Sequence, residues 1–143
     1  LLRARHDVFA GAQEKLEGLA IHGCQAHVPL ARDGGLARLV VQQRQLAEEL
    51  AGKLGATVSC SRPVVDAGWL PRTRQVGKSG LKVKPKLYFM LGISGAPEHL
   101  EGMKSAELII AINTDKKAPI FNVAHYGATA DLFEVAEAML ELL

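Results

Sequence analysis

Aromatic residues make up only 5% of the 143-residue chain, cysteines number two, and no apolar run is long. Each shortage excludes something. A bilayer-crossing helix needs about 20 consecutive apolar residues, so no membrane span is expected. Cys24 and Cys60 cannot build a disulfide framework, and a reducing compartment is the simpler expectation. Excess charge is missing too: 17 basic against 15 acidic residues leave +2, which gives no general attraction for a polyanion. The one basic run, Arg72 to Lys86, has six cations and no acid, yet no aromatic ring on which a base could stack. No nucleic acid partner is expected; a solvated lysine face or a contact with phosphate or an acidic partner remains. Neither a Walker motif, a nucleophile elbow nor a pair of catalytic carboxylates is found. His22, Cys24 and His27 match no common zinc spacing, so no metal site is expected. The chain opens at Leu1 with no Met and no signal peptide, as a processed product or an excised domain would.

What the sequence does contain is α/β patterning within the size of one domain. Its clearest element is Leu87 to Leu100. Leu87-Tyr-Phe-Met-Leu91 is apolar without interruption, the pattern of a strand buried on both faces of a parallel sheet. It passes directly into Gly92-Ile-Ser-Gly95, then Pro97 and Glu98, which suit the first turn of a helix starting near Ala96. Strand, glycine turn and helix start form an anion cradle, because unpaired N–H groups and the helix dipole meet there. A simple chain reversal has the same look.

Elsewhere, Phe9, Ala12, Leu16 and Leu19 predict a helix over residues 1–19, and Ile21 to Val28 reads as a strand or a loop. A helix over Leu36 to Leu54 places Leu39, Leu46, Leu50 and Leu54 on one face and stops at Gly55. Ala56 to Ser61 is a short strand. Arg62 follows it, either in the ligand position of an open α/β sheet or in a surface ion pair. Residues 64–86 read as loop, with a short two-faced strand where Leu81, Val83 and Pro85 alternate with lysines. Leu108 to Ile112 and Ile120 to Ala124 are strands, ending in Asn113-Thr-Asp115 and His125-Tyr-Gly127, so polar groups collect on the C-terminal rim of the sheet. A last helix, 129–143, puts Leu132, Val135, Ala136, Met139, Leu140 and Leu143 on one side. Asp131 in its first turn is either a dipole partner or a ligand contact. The residues alone imply an α/β domain, a mainly parallel sheet flanked by helices, with a nucleotide site.

Several motifs in order then carry a resemblance. They are Ser61-Arg-Pro-Val-Val-Asp66-Ala-Gly68, Gln75-Val-Gly77-Lys-Ser79-Gly80, Pro85-Lys-Leu-Tyr88, Gly92-Ile-Ser-Gly-Ala96, His99-Leu-Glu-Gly-Met-Lys104, Ala111-Ile-Asn113-Thr-Asp115, Ala118-Pro-Ile-Phe121 and Ala130-Asp-Leu-Phe133. From about Ala51 to the end, the chain resembles the C-terminal FAD-binding domain of the electron-transfer flavoprotein alpha subunit. The resemblance implies a Rossmann-like FAD-binding domain over 31–143, preceded by an unassigned segment, 1–30. It implies FAD as cofactor and a heterodimer with a beta-type subunit. It further implies a carrier of single electrons between flavoprotein dehydrogenases and an acceptor, in a bacterial cytoplasm or, less favoured, a mitochondrial matrix.

Position by position, it puts Arg62 beside the isoalloxazine ring, where a fixed cation favours a reduced, anionic flavin. Ser79, where the family usually has threonine, keeps a hydroxyl for flavin N5. Gln75, Val76 and Gly77 line the ring and His99 approaches its pyrimidine side. Gly92, Ser94, Gly95 and Ala96 hold the ribityl and pyrophosphate, and Asn113, Asp131 and Leu132 the adenosine end. Two departures stand out. Gly35-Leu36-Ala37 replaces the family's Gly-Arg-Gly turn, removing a phosphate-facing arginine, and His125 replaces an aspartate before Tyr-Gly. They keep a rival open, a flavin-free interaction domain docking a beta-type subunit, and more distantly a nicotinamide-nucleotide enzyme.

Overall fold

The structure, a computed structural model, describes residues 19–24 and 35–143. Its strands are β1 (Leu19–Cys24), β2 (Thr57–Cys60), β3 (Leu87–Leu91), β4 (Leu108–Asn113) and β5 (Tyr126–Thr129). Helices α1 (Gly35–Leu54), α2 (Arg62–Asp66), α3 (Pro97–Met103) and α4 (Leu132–Leu142) connect or follow them. The five strands form one parallel sheet in the order β2-β1-β3-β4-β5. The strand order reverses between β1 and β3, and open sheets bind ligands beyond the strand ends at such a point.

Two-residue periodicity divides the core. On β3, Tyr88 and Met90 face one side with Val76, Ile93, Met103 and Ile120. Phe89 and Leu91 face the other, under Ala47, Leu50 and Ala51 of α1 and Ala136 of α4. This two-sided burial explains why β3 reads as an unbroken apolar run. Among the described residues, no helix is long and apolar enough to cross a membrane.

Several sequence expectations change. Of the helix expected over 1–19, only Leu19 is described, and it opens β1. Leu39 is 49% exposed and leaves the apolar face of α1. Residues 64–66, expected as loop, belong to a helical turn, Arg62–Asp66, started by Pro63 in its first turn. Leu81, Val83 and Pro85 are buried and Lys82, Lys84 and Lys86 exposed, as the alternation requires. Yet the segment forms only an isolated bridge, Val76 to Leu81, instead of a strand.

The strand expected at Ile120 to Ala124 is a 3-10 turn, Pro119–Asn122. Proline's fixed φ and missing N–H suit the start of a helical turn, and buried Ile120 fills the core from it. The strand instead follows at β5, at one edge of the sheet, and its residues are all exposed. His125 therefore precedes β5 and leaves the C-terminal rim. Its N–H donates to the Ile109 carbonyl and its Nδ1 accepts from the Ile109 N–H, both at 2.9 Å, near the N-terminal end of β4. The last helix begins at Leu132, not residue 129, because Asp131 caps it by accepting from Phe133 and Glu134 N–H groups.

Glycine matters most in α3. A Cβ on Gly102 would stand 2.4 Å from the Gly77 nitrogen, whereas one on Gly52 in α1 would meet nothing within 4 Å. Gly102→Ala is expected to destabilise by about 1–3 kcal/mol or more through overpacking. Gly52→Ala is expected to stabilise by about 0.5–1 kcal/mol. Urea unfolding of the two variants checks the opposite signs.

Candidate functional site

Beyond β2, the chain turns through Ser61 into α2, and Arg62 opens the helix. Arg62 Nε lies 3.3 Å from Asp66 Oδ2 one turn on, with both side chains about two-thirds exposed (67% and 64%). At that exposure the pair contributes little to stability, and Arg62 also faces the cavity described below.

The next wall is the loop after the 3-10 turn Arg72–Arg74. It returns to the sheet because Val76 N–H donates to the Cys60 carbonyl at 3.0 Å and Arg74 Nη1 to the Val58 carbonyl at 2.9 Å. Arg74 is thus a structural member of the basic run. The loop then closes on itself. Leu81 N–H donates to the Gln75 carbonyl at 2.8 Å and Gly77 N–H to the Leu81 carbonyl at 3.1 Å. Gly77, at φ +145°, lies against α3, where a Cβ would come 3.1 Å from the Glu98 carbonyl. Lys78 N–H donates to that carbonyl at 2.7 Å. Buried Gln75 donates from Nε2 to Ser79 Oγ at 2.8 Å, leaving the serine O–H to donate in its turn.

The third wall is α3. His99 is 7% exposed, and its Nδ1 stands 3.1 Å from the Val76 carbonyl. A carbonyl only accepts, so Nδ1 carries the proton and Nε2 the lone pair. Burial pushes the His99 pKa down to about 4, with the Val76 carbonyl working in the opposite direction. Beneath it, Tyr88 lies 6.3 Å away between ring centroids. The Tyr88 hydroxyl, held 3.1 Å from Ser59 Oγ, has its pKa raised, chiefly by burial.

These walls enclose a cavity of about 300 Å³ with mostly apolar lining. It brings together Arg62, Gln75, Val76, Gly77, Ser79, Ala96 and His99 from the expected set. Ser61, Pro63, Lys78, Ile93 and Glu98 also line it and were not singled out as site residues. Each of them adjoins an expected position in the sequence, and Ser61, Pro63, Lys78 and Ile93 fall inside the motifs that carry the resemblance.

The other expected residues are placed elsewhere along the C-terminal rim. Gly92 (φ +72°) and Gly95 (φ +90°) bracket the turn after β3. A Cβ on Gly95 would lie 2.5 Å from the Ile120 nitrogen, and Ser94 accepts the Ile120 N–H through its carbonyl at 2.9 Å. Asn113 Nδ2 donates to the Ile93 carbonyl at 2.9 Å, while its Oδ1 accepts the Asp115 N–H at 2.8 Å. Asp131 is the α4 cap, and Leu132 packs into the core beside Gly92. His22 and Cys24 lie on β1, opposite Ser59 and Cys60, and His27 falls outside the described residues. Among the described residues no group of three or more metal-ligating side chains converges.

The family described as "Electron transfer flavoprotein FAD-binding domain" matches residues 34–104. The chain is 45% identical over 117 residues to Protein FixB of Rhizobium meliloti, covering 82% of this chain and 33% of that protein. It is 46% identical over 118 residues to the mitochondrial electron transfer flavoprotein subunit alpha of Oryza sativa, with 82% and 33% covered. It is also 51% identical over 98 residues to subunit LctC of the lactate dehydrogenase (NAD(+),ferredoxin) of Acetobacterium woodii, with 68% and 23% covered. The chain thus spans about a third of the length of the first two of these relatives.

The state of His99 gives a pH dependence. Its folded value, about 4, lies below the ordinary 6.5, so the unfolded chain takes the proton first as pH falls. Its contribution is intact above about pH 6.5, declines below that, and is lost by about pH 4, for a total near 3 kcal/mol. Urea unfolding across this window should show the decline, and His99→Gln should flatten it.

Proposed function

Because the chain belongs to the electron transfer flavoprotein alpha family of FAD-binding domains, we propose that this cavity receives the ring of FAD in a carrier of single electrons. The observation behind the reading is the cavity itself. Its mostly apolar walls, near 300 Å³, suit a flat ring rather than a whole dinucleotide. The Gly92–Gly95 turn lies where the strand order reverses, and there it serves the phosphates. Ser79, with Gln75 donating to its Oγ, offers its O–H to the ring edge. Arg62 brings a charge that cannot be titrated away.

His99 differs in kind. It enters neutral and can accept a proton at Nε2 when negative charge builds up in the cavity, whereas Arg62 supplies a standing potential. The flavin, when bound, supplies the one-electron chemistry, and the protein supplies position and electrostatics. Asn113 and Asp131 would serve the adenosine end while keeping their present backbone bonds. A beta-type subunit as partner, a flavoprotein dehydrogenase as donor and a cytoplasmic setting complete the proposal.

Apo-protein titrated with FAD should quench flavin fluorescence at micromolar concentrations. Affinity should fall about one to two decades short of a site that has the extra phosphate-facing arginine. No quenching at high micromolar protein, or release of no flavin on denaturation, would favour a flavin-free interaction domain instead.

Arg62→Ala tests the ring pose. One charge at about 4 Å is worth roughly 4 kcal/mol at an effective dielectric of 20. Arg62 is 67% exposed and paired with Asp66, so solvent leaves a fraction of that. The first-electron potential should drop by tens of millivolts, on the scale of about 59 mV per tenfold shift in equilibrium. Arg62→Lys should retain part of the effect. An unchanged potential in Arg62→Ala would leave Arg62 as a surface ion pair.

A further inference from the structure

The Leu91 carbonyl sits where the sheet runs out on one side. Strand β3 pairs with β1 only as far as Met90, opposite His22, but with β4 as far as Leu91, opposite Ile112. One step on, Gly92 N–H still donates to the Ile112 carbonyl at 2.8 Å. Backbone groups of successive strand residues point to alternate sides. With Gly92 facing β4, the Leu91 carbonyl faces the side where the pairing with β1 has ended. Leu91 is fully buried, and a buried carbonyl needs a partner. That partner comes from 48 positions earlier: Gln43, in α1 and only 7% exposed, donates from Nε2 at 3.1 Å.

The same amide stands beside the start of the glycine turn. A Cβ on Gly92 would come 3.7 Å from Gln43 Nε2 and 2.8 Å from Leu132 Cδ2, so α1 and α4 grip the turn between them. A polar side chain in mid-helix on a core-facing position is otherwise unfavourable. Leucine would fill similar space but could not donate to the Leu91 carbonyl.

We propose that Gln43 is a positioning residue for the dinucleotide phosphates. By holding the last carbonyl of β3, it sets where the strand gives way to Gly92 and where the Gly92–Gly95 turn points. The proposal rests on the reading that this turn serves the pyrophosphate of FAD. It makes Gln43 a determinant of selectivity for phosphate-bearing ligands over the bare ring, although it touches neither.

The test titrates wild type, Gln43→Leu and Gln43→Glu with FAD, ADP and riboflavin, with an unfolding midpoint for each protein. Gln43→Leu should lose about tenfold in FAD and ADP affinity, the worth of about one hydrogen bond, and keep its riboflavin affinity. Gln43→Glu should bind FAD and ADP no better than Gln43→Leu near pH 8, where a carboxylate cannot donate and repels the Leu91 carbonyl. It should recover FAD and ADP binding towards about pH 5, because burial against the carbonyl raises the carboxyl pKa above its ordinary value of about 4.3 and leaves an O–H to donate to Leu91. A wild type that binds riboflavin as well as FAD and does not bind ADP removes the phosphate role of the turn, and the proposal falls with it. A wild type that favours FAD and ADP, beside a Gln43→Leu protein that loses all three ligands equally or none, overturns the proposal alone. If Gln43→Leu does not fold, Gln43→Glu decides: an FAD-to-riboflavin ratio that does not change with pH overturns it.

Discussion

Two backbones meet at Gly77 and Gly102, and the cavity depends on that approach. With the Gly77 nitrogen 2.4 Å from where a Gly102 Cβ would stand, no other residue at 102 lets the loop lie flat on α3. Once it does, the neighbouring bonds follow. Lys78 N–H reaches the Glu98 carbonyl, His99 Nδ1 reaches the Val76 carbonyl, and Val83 N–H reaches the Gly102 carbonyl at 2.7 Å. Each ties the loop to the helix through a backbone group, so the wall of the site is rigid without relying on long side chains.

The site separates two kinds of electrostatic group by depth. His99 is buried and neutral, with Tyr88 beneath it and the Tyr88 hydroxyl satisfied by Ser59. Arg62 and Lys78 line the cavity from exposed positions, Arg62 held by Asp66 one helical turn away. Burying a cation without a full partner set is costly, whereas a buried imidazole can avoid the cost by staying neutral. The arrangement therefore keeps fixed charge near water and a titratable group inside.

Much of this was legible along the chain. The Leu87–Leu91 run, the glycines after it and Pro97 with Glu98 marked a strand, a turn and a helix start, because each signal comes from neighbouring residues. The alternation at Leu81, Val83 and Pro85 correctly separated buried from exposed positions even though no ladder forms there. Ile120 to Ala124 misled for the same reason that Leu87 to Leu91 did not. An apolar run says that residues are buried, not whether a strand or a single helical turn buries them. Pro119 was the local sign of the turn, and β5, exposed at the edge, had no apolar pattern to show.

Residue order along the chain set the α/β alternation, the apolar face of α4 except Leu143, which is exposed, and the motif set that ties the chain to its family. All of these rest on local propensity or residue order. The folded chain shows the cavity that Arg62, Ser79 and His99 line, and it sets Asn113 and Asp131 apart on the rim. It alone decided that His125 belongs to the opposite end of the sheet, and that Gln43 answers a carbonyl left where β1 stops pairing. The physical reason is distance along the chain. A hydrogen bond spanning 48 positions exists only after the sheet has set its register, and register is a property of strand pairs rather than of any one segment.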